Sequence, residues 1–199
     1  MGAALKIGKI NKINSSYTYA DYIKWPVNER WEIIDGAAYD MTPAPKTVHQ
    51  NVAGNLFTIF NVFLKGKSCK AFIAPYDIIF AENGESELES RNVVQPDISV
   101  ICDKNKIKEN GCVGAPDLIV EILSPATASK DIKLKFELYE QHGVKEYWII
   151  HPTEKYLMVF KLDPHTKKYG RPDIYLQKAK VKSVVIKGLS VKLDDIFEE

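Results

Sequence analysis

The chain has 199 residues, of which 45% are apolar, 27% charged and 11% aromatic, and it carries a formal net charge of +1. That composition excludes disordered, collagen-like and coiled-coil classes, and the length suits one domain of a size able to bury a substantial core. No run of about 18 apolar residues exists that would span a membrane. The opening MGAALKIGKINKINSS lacks the apolar stretch of a signal peptide, and Lys6 breaks the myristoylation pattern, so the chain is expected in the cytoplasm. Three cysteines, Cys69, Cys102 and Cys112, leave at least one unpaired and show no zinc-ligand spacing, so no disulfide scaffold is expected.

In chain order, residues 1–16 read as a flexible N-terminus and 17–199 as a single domain. Thr18 is an N-cap candidate for a short helix over YADYIKW, ended by Pro26. RWEIIDGAAYDM reads as a hairpin turning at Asp35-Gly36. Val48, Val52, Leu56, Ile59, Phe60 and Phe63 recur at helical spacing, with Gly66 as the stop. CKAFIAPYDIIFA reads as one strand that Pro75 assigns to an edge or a bulge. A polar loop leads to the strand PDISVIC, a turn-rich connection follows, and PDLIVEIL is apolar enough to be a strand buried on both faces. SPATASKD supplies a Ser or Thr cap for a helix over DIKLKFELYEQHG, with Ile132, Phe136 and Tyr139 on one face, and VKEYWIIH is the next buried strand. That order is a βαβ unit. The remaining segments alternate at period two, as antiparallel strands do. The expected architecture is α/β with a mixed sheet and a β-rich extension.

The phosphate-binding P-loop, the dinucleotide glycine motif, HExxH and GxSxG are all absent from the sequence, which removes the nucleotide hydrolases, dinucleotide enzymes, zincins and serine hydrolases that carry them. Misplaced charge is what remains. Glu121 lies inside Leu118–Leu123, where an unpaired carboxylate costs several kcal/mol. Asp97 opens the other apolar strand. If those strands are neighbours, two carboxylates at one level make an oxygen-rich pocket of the kind Mg²⁺ takes with a carbonyl and several waters. Asp131, Lys135, Tyr139 and His142, spaced four, four and three apart, form one helical stripe, either solvated or directed at that pocket. Glu82, Glu85, Glu87 and Glu89 form an acidic patch, and the segment from Lys155 to Lys192 is lysine-rich. This asymmetry permits nucleic-acid binding, although solvated faces are the simpler reading.

The strings QPDISVI, APDLIVEILSPAT, D-x-x-x-K-x-x-x-Y at Asp131, Lys135 and Tyr139, and GVKEYWIIHP closely resemble the Uma-two family of proposed restriction endonucleases, within the PD-(D/E)XK nuclease superfamily. WEIIDGAAYDMTPAPKTVHQ is similar to that family's opening hairpin and histidine-bearing helix, so the resemblance runs from about Tyr17 to the C-terminus. It implies a restriction-endonuclease-like core: a mixed β-sheet flanked by helices, with an N-terminal hairpin and C-terminal antiparallel strands. It further implies metal-dependent hydrolysis of phosphodiester bonds in DNA. Mg²⁺ or Mn²⁺ would be held by Asp97, Glu121 and the backbone carbonyl of Ile122. The superfamily's lysine two residues after the acid is replaced here by Leu123, and Lys135 on the following helix takes its role. Glu32, His49, Asp77 and Tyr139 are accessory candidates, and a homodimer is expected because cutting a duplex commonly needs two sites. Two other readings keep the same residues: an inactive nuclease-like fold that binds DNA or a protein, and a hydrolase of small phosphate esters.

Overall fold

Thr18 is the N-cap of the first element, as expected, and a capping box joins it to Asp21, whose carboxylate accepts from the Thr18 backbone N–H at 3.0 Å. The computed structural model describes residues 16–41, 45–82, 84–124, 128 and 130–198. The expected loose N-terminus, except Ser16, and the cap candidates Thr127 and Ser129 therefore lie outside the described residues. Helix α1 is only Tyr19–Tyr22, shorter than the expected segment to Trp25. Strands β1 (Trp31–Ile34) and β2 (Ala37–Asp40) form the hairpin, with Asp35 at φ 51° and Gly36 at φ 78°. Positive φ at both central residues is what the type I′ turn requires. Helix α2 (Thr47–Leu64) then buries Val52, Leu56, Phe60 and Leu64 along one stripe.

The strand expected over CKAFIAPYDIIFA is two. β3 (Lys70–Ile73) and β4 (Ile78–Ile79) flank the cis Ala74–Pro75 bond and join different sheets. Short strands follow: β5 (Val93–Val94), β6 (Ile98–Ile101), β7 (Ile107–Lys108) and β8 (Gly111–Val113). β9 (Leu118–Ile122) is buried at all five residues. Beyond it a π-helical turn, Lys130–Lys135, runs into α3 (Phe136–Gln141) and then β10 (Glu146–His151). The C-terminal part holds β11 (Tyr156–Lys161), β12 (Asp173–Tyr175), the hairpin β13 (Lys180–Lys182) and β14 (Ser190–Lys192), and α4 (Leu193–Ile196).

The central sheet has the order β12-β11-β10-β9-β6-β3, and a second sheet of mostly two- to four-residue strands has the order β2-β1-β5-β4-β8-β7. β9 pairs in parallel with β10 and antiparallel with β6, which confirms the βαβ unit and makes the Asp97 and Glu121 strands neighbours. Alternation along β9 divides the core. Leu118, Val120 and Ile122 pack with α2 residues Val52, Leu56 and Phe60, and Ile119 and Leu123 pack with Leu138 and Tyr139 of α3. Phe60 meets Trp148 edge to face at 5.6 Å between ring centres. Two expectations need correction. Ile132 is 44% exposed rather than packed, because the π turn rotates it off the buried face. Cys69 and Cys102 form a disulfide, and Cys112 is free and buried. The pair sits just beyond the Lys70–Ile101 register position of β3 and β6, so the long-range pairing that no local spacing reveals is what brings the thiols together. Among the described residues no helix is long and apolar enough to cross a membrane.

Candidate active site at the end of the central strands

The antiparallel register Ile98–Val120 and Ser99–Ile119 carries Asp97, one residue before β6, to the level of Glu121 near the end of β9. Asp97 is fixed by the backbone: its Oδ2 accepts the Ile122 N–H at 2.7 Å. The same oxygen lies 3.2 Å from His49 Nε2 on α2. Burial of His49 works against a charged ring, but the hydrogen bond and charge of Asp97, with a further bond to the Ile122 backbone, win and raise its pKa above the usual value. The Nδ1 atom of His49 is buried without a hydrogen-bond partner. Asp97 keeps 19% of its side chain open to solvent, so this corner is reachable from outside.

Glu121 is the inner corner. Its Oε1 accepts Lys135 Nζ at 2.8 Å and the Tyr139 hydroxyl at 2.6 Å. Lys135, only 2% exposed, also lies 2.7 Å from Glu32 Oε1 and 3.7 Å from Asp131 Oδ1. Glu32 comes from the opening hairpin, has no exposed side-chain surface, and additionally accepts the Gln95 backbone N–H at 3.0 Å and the Lys130 ammonium through Oε2. The stripe Asp131–Lys135–Tyr139 therefore faces inward, and its solvated reading is wrong.

Sharing one ammonium between two carboxylates drives them apart. Burial opposes charge on Glu32, yet Lys135 and Lys130 together outweigh it and hold its pKa below the ordinary range. Glu121 has only its part of Lys135, and burial, with Asp131, Asp97 and Glu32 nearby, pushes it up to about 8. Lys135 stays charged because the attraction of Glu121, Glu32 and Asp131 exceeds its desolvation. Tyr139 is held in its neutral form by burial and by Glu121. Among the described residues the cluster thus brings four carboxyl groups, of Glu32, Asp97, Glu121 and Asp131, beside Lys130, Lys135 and His49.

The structure gathers Asp97, Glu121, Lys135, Glu32, His49 and Tyr139 into one cluster. It does not bring Asp77 in. The Asp77 carboxylate accepts from Tyr22 at 2.9 Å and from the Gln95 side chain at 2.8 Å, and burial raises its pKa. His142, the last member of the expected stripe, stacks on Phe80 at 4.7 Å instead of joining Glu121. Lys130 is the member that sequence spacing misses. A 3.6-residue period does not align positions five apart, whereas the i→i+5 bonding of a π turn places Lys130 and Lys135 on the same side of Glu32. Two polar residues five apart after a buried-strand Glu would have been the only sequence signal.

Among the described residues no three His, Cys, Asp or Glu side chains form a closed metal cage. The donor set nevertheless suits a divalent cation. It offers a partly open carboxylate at Asp97 and a second carboxyl group at Glu121 that a bound cation would help to ionise, and an ion that retains several waters needs no closed cage.

Residues 19–194 match the Uma2 family, described as "Putative restriction endonuclease". A relative from Synechocystis sp. (strain ATCC 27184 / PCC 6803 / Kazusa), "Uncharacterized protein slr1290", is 30% identical over 141 residues, covering 67% of each chain. Among solved structures, "a putative nuclease belonging to DUF820" from Anabaena variabilis ATCC 29413 superposes with a TM-score of 0.71 at 22% identity, over 91% of this chain and 97% of that one. The likeness in fold thus extends over almost the whole chain.

Proposed function

The chain belongs to the Uma2 family, and from that membership together with the cluster around Glu121 we propose that it is a metal-dependent nuclease that hydrolyses phosphodiester bonds of DNA. The observation that carries the reading is the Asp97–Glu121 corner, partly open at Asp97 and buried at Glu121, with Lys135 at 2.8 Å from Glu121. Asp97 and Glu121 would hold Mg²⁺ or Mn²⁺, with the Ile122 carbonyl as the third protein oxygen. When bound, such an ion supplies a water of lowered pKa and neutralises charge on the phosphate.

The chain's own residues do the rest. The Ile122 N–H holds Asp97 Oδ2 in place. Tyr139 and Lys135 fix Oε1 of Glu121 from the α3 side, so the carboxylate is oriented before any substrate arrives. Lys135, kept charged by its carboxylates, steadies the attacking oxygen and the charge that builds on phosphorus. A second copy of the chain would provide the second cut on a duplex, in a homodimer.

The test is cleavage of supercoiled plasmid and single-stranded DNA with Mg²⁺ or Mn²⁺, comparing the wild type with Asp97→Asn and Glu121→Gln. Loss of cleavage in both variants is expected. Full activity in either one rejects the assignment. Steep weakening of DNA binding with salt separates a nucleic-acid enzyme from a hydrolase of small phosphate esters, which would respond little.

A further inference from the structure

We propose that Lys130 is the residue of this site that grips the phosphate backbone of the nucleic acid, an assignment that rests on the nuclease reading above. The two lysines of the π turn differ in what they can reach. Lys135 is 2% exposed and is held by Glu32, Glu121 and Asp131. Lys130 keeps 13% of its side chain open, and Glu32 is the only carboxylate it meets among the described residues. An ammonium has three N–H donors. Glu32 takes one of Lys130's, and the Tyr39 ring lies 6.0 Å from the nitrogen on the same hairpin.

Glu32 works as the anchor. It sits directly opposite Tyr39 in the β1–β2 register, has no exposed side-chain surface, and is tied from behind by the Gln95 N–H and by Lys135. A lysine whose ammonium is already held through one N–H by a buried carboxylate loses less entropy on meeting a phosphate than a free surface lysine does. The π turn is what places it there. In an α-helix residues five apart diverge by about 140° around the axis, so one of the two ammoniums would point away from Glu32. The wider turn aligns both, with one sealed inside and one on the rim.

The chemical division is therefore between Lys135, whose sealed charge is felt at the reacting centre without contact, and Lys130, which holds a phosphate oxygen by charge and hydrogen bond. Lys133, exposed in the same turn, supplies a control in which the same charge is removed from the outward face.

The experiment measures binding of a fluorescent DNA duplex by anisotropy across a salt series, in Ca²⁺ to prevent turnover, followed by cleavage kinetics in Mn²⁺. Lys130→Gln is expected to weaken binding about three- to tenfold and to reduce the slope of log K against log salt by about one. KM should rise with kcat within about threefold, and Lys130→Arg should restore the slope. Lys133→Gln should leave both unchanged. A Lys130→Gln slope equal to wild type, an equal loss in Lys133→Gln, or a fall in kcat at constant KM each overturns the proposal. Wild-type protein that binds no DNA at any salt overturns the nuclease reading itself. Urea denaturation of Lys130→Gln and Lys130→Arg verifies that both variants are folded.

Discussion

Replacing Glu121 by Gln is expected to stabilise the fold, and only on the alkaline side. The carboxyl is fully buried and its pKa stands near 8, against 4.5 for an unperturbed Glu. Between those values the folded state holds a proton that the unfolded chain has released, so wild-type stability falls as pH rises from about 4.5 to about 8. At about 1.4 kcal/mol per pKa unit the ceiling on this loss is about 4–5 kcal/mol. The amide oxygen of Gln can still accept from Tyr139 and Lys135. Lys135 loses one charge partner but keeps Glu32 and Asp131, which returns part of the gain. The net expectation is a variant more stable by about 1–3 kcal/mol at pH 8.5 and equal to wild type near pH 5. Urea denaturation at both pH values, with m-values compared to verify two-state behaviour, gives the difference directly. A variant less stable than wild type at pH 8.5, or a gap that does not change with pH, would refute the account of the site. If the gap appears while cleavage vanishes, the residue is kept at a cost in stability because its charge serves the reaction.

Other consequences are separately measurable. The raised pKa of His49 makes its ion pair with Asp97 a stabilising contribution that is fully present below about pH 6.5 and lost as pH rises through the folded value. His49→Gln should accordingly be destabilised more at pH 6 than at pH 9 in urea titrations, and an equal deficit at both would contradict it. Gly111 has φ 152°, and a Cβ there would come within 2.4 Å of the Asp77 carbonyl oxygen, so Gly111→Ala should cost at least about 1–3 kcal/mol and lower the thermal midpoint. The Cys69–Cys102 bond closes a loop with a sequence separation of 33, for which chain entropy predicts about 4 kcal/mol, so reduction should lower the urea midpoint accordingly. Unchanged stability in reductant would mean that the β3–β6 pairing alone holds this edge.

Where the sequence was readable, the cause was a pattern that one residue neighbourhood completes. Asp35-Gly36 specified the hairpin because few other pairs adopt its turn, and the unbroken apolar run of Leu118–Leu123 specified a central strand in which Glu121 stood out. The adjacency of the Asp97 and Glu121 strands was an assumption at that level, and the observed β6–β9 register supports it. The second sheet was not readable, because strands such as Val93–Val94 and Ile107–Lys108 are too short to carry a period and exist only through their pairing. Glu32 was marked only by the family resemblance and by no residue pattern. All four residues of its strand are buried, so no polar alternation marked it out, and its partners Lys130 and Lys135 lie 98 and 103 positions away. Asp77, an accessory candidate by resemblance, stays out of the cluster because the segment read as one strand is two, and β4 beside Asp77 belongs to the other sheet.

Position 123, where the resemblance to PD-(D/E)XK nucleases implies a lysine, holds Leu, and packing accounts for it. By strand alternation residue 123 faces the same side as Glu121, and here it is 7% exposed in an apolar cluster with Leu138, Tyr139 and Ile149. An ammonium at that position would have to compete for space with the aromatic ring that orients Glu121. Bringing the ammonium from the following helix avoids this competition and has a second effect. Lys135 binds Glu32 as well as Glu121, and through Glu32 the site acquires Lys130. Moving one cation from strand to helix thus links the hairpin, the central strand and the π turn into one charged network. It also explains why the hairpin glutamate is buried in a fold where an unpaired carboxylate would cost several kcal/mol.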